Sequence, residues 1–128
     1  ISASGEVQAV LDWEMATVGD PLMDLGTTLA YWAEAEDEDI LKMFNLSYVS
    51  GNFTRRELIV YYGAKTGRDM REMNFYYVFG LCKVATIAQQ IYQRFSLGFS
   101  KDPRFSVLNQ VVEAAGRKAT ACIQTGTI

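Results

Sequence analysis

The chain has 128 residues, 49% of them hydrophobic and 21% charged, with a net charge of -3. That is long enough for one modest domain with its own core and too apolar for a disordered chain. The acidic balance argues against a nucleic-acid surface, which needs clustered Lys and Arg, and no apolar run approaches the roughly 18 residues of a membrane span.

Residue types narrow the chemistry further. The sequence contains no histidine, so it holds no Ser-His-Asp or Cys-His arrangement and no histidine metal site. Its two cysteines, Cys82 and Cys122, stand alone in their segments without metal-ligand spacing. Two such thiols do not make a disulfide framework, and a reducing, cytoplasmic setting is expected. The start, Ile1-Ser2-Ala3-Ser4-Gly5, has no basic region before an apolar run and so does not read as a signal peptide. The chain opens mid-pattern without a Met, and we read it as a piece of a longer protein.

In chain order, Ile1 reads as the tail of a strand and Ser2 to Gly5 as a turn. Residues 6–11, Glu-Val-Gln-Ala-Val-Leu, alternate and then become continuously apolar. This pattern predicts a β-hairpin remnant, with a loop at Asp12-Trp13-Glu14. Asp20-Pro21 is a helix-start signal, and Leu22, Leu25, Leu29 and Trp32 at helical spacing predict a helix over 21–33. The acidic run from Glu34 to Asp39 reads as a solvated loop or helix end rather than an acidic partner-binding tail. Residues 40–52 are ambiguous, with room for one helical turn. Thr54-Arg55-Arg56-Glu57 is a capping-box pattern that opens a helix over 55–66, stopped by Gly67.

Asp69-Met70-Arg71-Glu72 repeats the capping-box pattern before the longest predicted helix, 70–97. Along it Phe75, Phe79, Cys82, Thr86, Gln89 and Gln93 recur every three or four residues, and Gly98 marks its end. Asp102-Pro103 starts a last helix over 103–124, with Val107, Val111 or Val112, and Ala115 on one face. The expected fold class is therefore mostly α. Its parts are a strand remnant and loop over 1–14 and a helical subdomain over 20–128.

The segment from Val10 to Leu25 carries the most chemistry. An apolar run ends in Asp12, a Gly19-Asp20-Pro21 turn follows, and Asp24 comes next. A carboxylate at the end of an apolar run suits a hard cation such as Mg²⁺, which takes oxygen ligands. Val10-Leu11-Asp12-Trp13-Glu14, Gly19-Asp20-Pro21 and Asp24-Leu25 together resemble the magnesium-binding segment of the aminoglycoside phosphotransferase and choline kinase family, a branch of the protein-kinase-like fold. Gly26 stands where that family usually has Ala. The resemblance continues through Thr54-Arg55-Arg56-Glu57-Leu58, Tyr61-Tyr62, Thr66-Gly67-Arg68-Asp69, Phe75-Tyr76 and Lys83-Val84-Ala85-Thr86-Ile87. These segments are similar to the helical C-lobe of a branch in which the kinase-like domain is fused to, or encoded beside, acyl-CoA dehydrogenases.

The resemblance implies a role for each acid. Asp12 is the expected Mg²⁺ ligand bridging ATP phosphates, and Glu14 lies close enough to act through water. Asp24 resembles the family's buried acid that hydrogen-bonds the catalytic loop and holds it in shape, whereas Asp20 is expected only to cap a helix. Trp13, Tyr31 and Trp32 are candidate walls of a substrate pocket, with core packing as the plainer reading. Lys83 is expected to snorkel to solvent, and Arg94 and Arg104 to be solvated surface, with phosphate or CoA contacts as the alternative.

The family's Gly-rich phosphate loop, strand Lys and His-Gly-Asp-x-x-x-x-Asn catalytic loop do not occur in this sequence. No catalytic residue is therefore assigned to the chain, and Mg²⁺ and ATP are expected only for an intact protein. That protein would transfer the ATP γ-phosphoryl group to a hydroxyl on a small molecule, with a hydroxyacyl-CoA-type metabolite as the substrate the branch points to. This chain alone should be inactive. The alternatives are a non-catalytic pseudokinase, an acyl-ligand-binding module and a helical interaction module. Exposed apolar surface and an open strand edge lead us to expect a homodimer.

Overall fold

Helix α1 (Pro21–Tyr31) starts where Asp20 accepts a hydrogen bond from the Leu22 amide at 3.0 Å, with Pro21 in the first turn where no amide donor is needed. The computed structural model describes residues 1–128, the side chain of Met15 excepted. Helix α2 (Arg55–Thr66) forms the predicted capping box. The Glu57 amide donates to Thr54 Oγ1 at 3.1 Å, and the Thr54 amide donates to Glu57 Oε2 at 2.8 Å. Gly67 ends it in the left-handed conformation, φ 69°, which a residue without Cβ adopts at no steric cost.

Helix α3 (Met73–Ser96) begins three residues later than the sequence predicts. The second capping box does not form, because Asp69 instead accepts from the Arg71 amide at 3.0 Å and from Arg71 Nε at 2.7 Å. Its buried stripe also differs from the predicted one. Met73, Tyr77, Gly80, Leu81, Val84 and Ala88 face the core, whereas Phe75 is 61% exposed and Phe79, Cys82 and Thr86 are also exposed. Two residues along a helix turn it by about 200°, so a stripe through 75 lies opposite one through 77. Periodicity finds the helix and leaves its rotation open.

Helix α4 spans Leu108–Thr125, and the expected first turn at Pro103–Val107 is a 3₁₀ turn instead. Val111 and Ala115 are buried as expected, joined by Leu108, Ala114, Ala119 and Cys122. Helix α3 is central and packs along both α1 and α4. Leu58, Ile59 and Tyr62 lay α2 against the same core, and Leu41 joins it from the 3₁₀ turn Leu41–Phe44. No strand forms among the described residues, so the predicted hairpin remnant is absent. The reason is that a strand needs a partner ladder, and nothing else in the chain supplies one. Ser2 to Glu6 does turn back, with the Ser2 amide donating to the Glu6 carbonyl at 2.9 Å.

Helices α1 and α3 touch backbone to backbone. A Cβ on Gly26 would lie 2.2 Å from the Tyr76 carbonyl oxygen, and one on Gly80 would lie 2.3 Å from that of Gly26. Neither neighbour is a movable side-chain tip, so both positions must be glycine for the helices to meet. This accounts for Gly26, the departure from the family pattern.

The acidic run is only partly solvated. Asp37 is 6% exposed and Arg55 2% exposed, and the two form a buried ion pair. Arg55 also donates from Nη1 to Glu34 at 2.9 Å and from Nε to the Leu29 carbonyl at 3.3 Å, and its guanidinium lies 5.2 Å from the centre of the Tyr77 ring. Lys118 reaches Asp37 at 2.7 Å, and Arg117 reaches Glu38 at 2.7 Å. Because α4 supplies these cations, the run becomes a structural joint.

Gly26→Ala should lower stability by about 3 kcal/mol or more, because the added methyl meets backbone. Gly116→Ala in α4 meets nothing within 4 Å, and should raise stability by about 0.5–1 kcal/mol. Urea unfolding of the two variants checks the crossing. Burial pushes the Asp37 carboxyl up, but the hydrogen bonds from Arg55 and Lys118 outweigh it and leave it below the ordinary range. The Arg117 hydrogen bond similarly holds Glu38 low. Groups with lowered folded values stabilise fully above the unfolded carboxylate range, about pH 4, and lose that stabilisation as pH falls through the folded values. The thermal midpoint should therefore drop steeply below about pH 4, mainly through the buried Asp37.

Candidate functional site

Asp12 is the only non-glycine among the described residues with a positive φ, at φ 73° and ψ 44°. Asp tolerates this left-handed conformation better than most residues. Two hydrogen bonds close the chain around it. The Trp13 indole N–H donates back to the Val10 carbonyl at 2.6 Å, and the Ala16 amide donates to the Trp13 carbonyl at 2.9 Å across the 3₁₀ turn Trp13–Met15. Asp12 sits at the N-cap of that turn yet its carboxylate caps nothing. It is exposed and free to ligate.

One such carboxylate fits Mg²⁺, which keeps several waters and is commonly held by one or two carboxylates together with substrate phosphates. Glu14 is exposed in the same turn. Among the described residues, no group of three or more acids or cysteines gathers into a closed metal cage. Asp24 is exposed and makes no side-chain hydrogen bond among the described residues. Asp20 does more than cap α1, because its second oxygen accepts from the Tyr76 hydroxyl at 2.6 Å. That hydrogen bond holds the Asp20 carboxyl below its ordinary range and pushes the Tyr76 phenol up.

The three candidate pocket aromatics do not converge. Trp13 is 67% exposed and serves the turn around Asp12. Tyr31 and Trp32 lie at the far end of α1, about 16 Å of helix away. Tyr31 packs edge-on against Phe44 at 5.6 Å, and the Trp32 indole donates to the Phe53 carbonyl at 2.7 Å. Two surface pockets, of about 220 and 260 Å³, include none of the seven sequence-predicted site residues. One lies between the Asp37–Glu38 bend and α4, and the other beside Tyr48 and Phe53. Lys83 is exposed and its Nζ donates to Thr27 Oγ1 at 3.1 Å. Arg94 and Arg104 are surface residues, Arg104 paired with Asp102 at 2.6 Å.

Tyr76 is the residue that sequence reasoning missed. It lies 56 positions from its partner Asp20, and no local pattern joins the two.

Residues 1–61 match the phosphotransferase enzyme family known as APH. That stretch of the chain is similar to that family. It is 34% identical over 94 residues to acyl-CoA dehydrogenase family member 11 of Homo sapiens, covering 72% of this chain and 12% of that protein. Similarity to the Mus musculus proteins is of the same order: 34% over 99 residues with family member 10, covering 70% and 9%, and 34% over 114 residues with family member 11, covering 82% and 14%. The chain thus resembles the branch these proteins represent and spans only 9% to 14% of the length of these curated relatives. No solved structure matches it. No helix among the described residues is long and apolar enough to cross a membrane.

Since the Asp12 carboxylate bonds to nothing in the fold, Asp12→Asn and Asp12→Gly should leave the urea unfolding midpoint at its wild-type value. A marked loss in both would give the side chain a structural role.

Proposed function

We propose that this chain is the C-terminal helical part of an ATP-dependent phosphotransferase that phosphorylates a hydroxyl group on a small molecule. The observation that carries the reading is Asp12. It is an uncommitted carboxylate held in a left-handed backbone by the Trp13–Val10 hydrogen bond, inside the segment that matches the family. Backbone held in a sparsely populated conformation concentrates at functional sites. In the intact protein Asp12 holds Mg²⁺, with Glu14 acting through water. Bound there, the ion would supply charge neutralisation to the ATP phosphates. Asp20 and the glycine crossing hold α1 to α3 behind this loop, and Asp24 offers its free carboxylate to the catalytic loop. The relatives' names point to an acyl-CoA-related metabolite as substrate.

Phosphoryl transfer depends mainly on positioning and charge stabilisation. Asp12 without a phosphate-binding loop or a catalytic base supplies neither alone, so the 128-residue chain should not hydrolyse ATP. In the full-length protein, Asp12→Asn should lower kcat by at least about a hundredfold, the upper range for losing a mere supporting partner of a metal ligand. A coupled ADP-release assay with Mg²⁺ and ATP measures both. Wild-type activity in the variant would remove Asp12 from the reaction.

One observation favours the second reading, a non-catalytic helical interaction module. Asp12 lies outside both pockets and Asp24 is exposed. A full-length protein that binds acyl ligands but never transfers phosphate would establish it. We further propose that the exposed Val7, Val10 and Leu11 pair with a second copy of the chain. A monomer by light scattering at high concentration would end that part of the reading.

A further inference from the structure

Residues 1–19 carry the candidate metal ligand, yet every side-chain hydrogen bond described for them stays within the segment. Asp20 is the first position whose side chain reaches another element. One of its carboxylate oxygens accepts from the Leu22 amide and starts α1, and the other accepts from the Tyr76 hydroxyl on α3 at 2.6 Å. A single carboxylate thus fixes both the first turn of α1 and its place on the helical body.

The tie sits in a registered seam. Asp20 and Tyr76 are 56 positions apart, and so are Thr27 and Lys83, which bond at 3.1 Å. Equal offsets mean that α1 and α3 run parallel here, with the Gly26–Gly80 contact between the two ties. The exposed aromatics of α3 belong to the same arrangement. Phase aside, their exposure has no core explanation, but the Phe75 ring packs edge-on against Tyr76 at 5.3 Å and Phe79 stacks on Phe75 at 6.5 Å. This row limits where the Tyr76 ring can turn and so keeps its hydroxyl on Asp20.

We propose that Tyr76 is a positioning residue for phosphoryl transfer, fixing the direction in which the Asp12–Gly19 loop leaves the helical body and so where Asp12 meets Mg²⁺ and ATP. The proposal rests on the phosphotransferase reading. Tyr76 touches neither nucleotide nor metal and acts through Asp20. Without the hydroxyl, Asp20 still caps α1, since the Leu22 amide bond is independent of Tyr76. The helices should therefore persist while the loop swings.

Tyr76→Phe tests this with two readouts. In the 128-residue chain, backbone residual dipolar couplings for residues 12–19 should shrink toward zero in the variant, while those of α1 and α3 keep their wild-type values. Unchanged loop couplings would overturn the proposal. In the full-length protein, kcat/KM for Mg²⁺–ATP should fall about tenfold, as for other partners that orient a metal ligand. An unchanged kcat/KM would overturn it as well. Phe75→Ala, which leaves the hydroxyl in place, should shift both readouts in the same direction by less. If the wild-type protein transfers no phosphate, the reading of the reaction fails, and the dipolar couplings still decide whether Tyr76 orients the loop.

Discussion

A buried guanidinium organises this molecule. Arg55 is the first residue of α2 and is almost wholly enclosed. Taking a charge out of water costs several kcal/mol, so it persists only where its donors are satisfied. Asp37 and Glu34 from the bend after α1, the Leu29 carbonyl of α1 and the face of Tyr77 on α3 do this together. Lys118 then brings α4 to the same Asp37. Four helices and one loop thus meet at one charge. Such a joint is specific in a way that apolar contact is not, because each partner must arrive at a set distance and angle.

The second constraint is steric. Two helices can approach to backbone contact only where neither carries a side chain, and Gly26 and Gly80 provide that place. The close crossing sets α1 directly against α3 and brings Asp20 to Tyr76. The start of α1, its cap Asp20 and the long helix are therefore linked through one contact of two glycines and one hydrogen bond between side chains. The apolar residues ahead of α1 have no such support within the chain. Val7, Val10, Leu11 and Trp13 are all well exposed.

Local signals were legible. The Thr54–Glu57 capping box placed the start of α2, Gly67 its end, and Asp20-Pro21 the start of α1, because caps depend on residues within a turn of each other. The Asp69–Glu72 box failed for an equally local reason, since Arg71 offered Asp69 a stronger, charged donor. The rotation of α3 was not legible. Its sequence carries two stripes of helical period, and the choice between them was made by which one could meet Gly26 and Val111.

The sequence by itself showed the likeness of residues 1–61 to the phosphotransferase family, through the spacing of Asp12, Asp20 and Asp24, and it determined that the body is helical. It could do so because motif spacing and caps are properties of neighbouring residues. The tertiary structure alone decided that Asp37 is buried in an ion pair, that Gly26 is required by a helix crossing, and that Tyr76 holds Asp20. Each of these joins residues between 18 and 56 positions apart, and contacts at that distance exist only once the helices have packed.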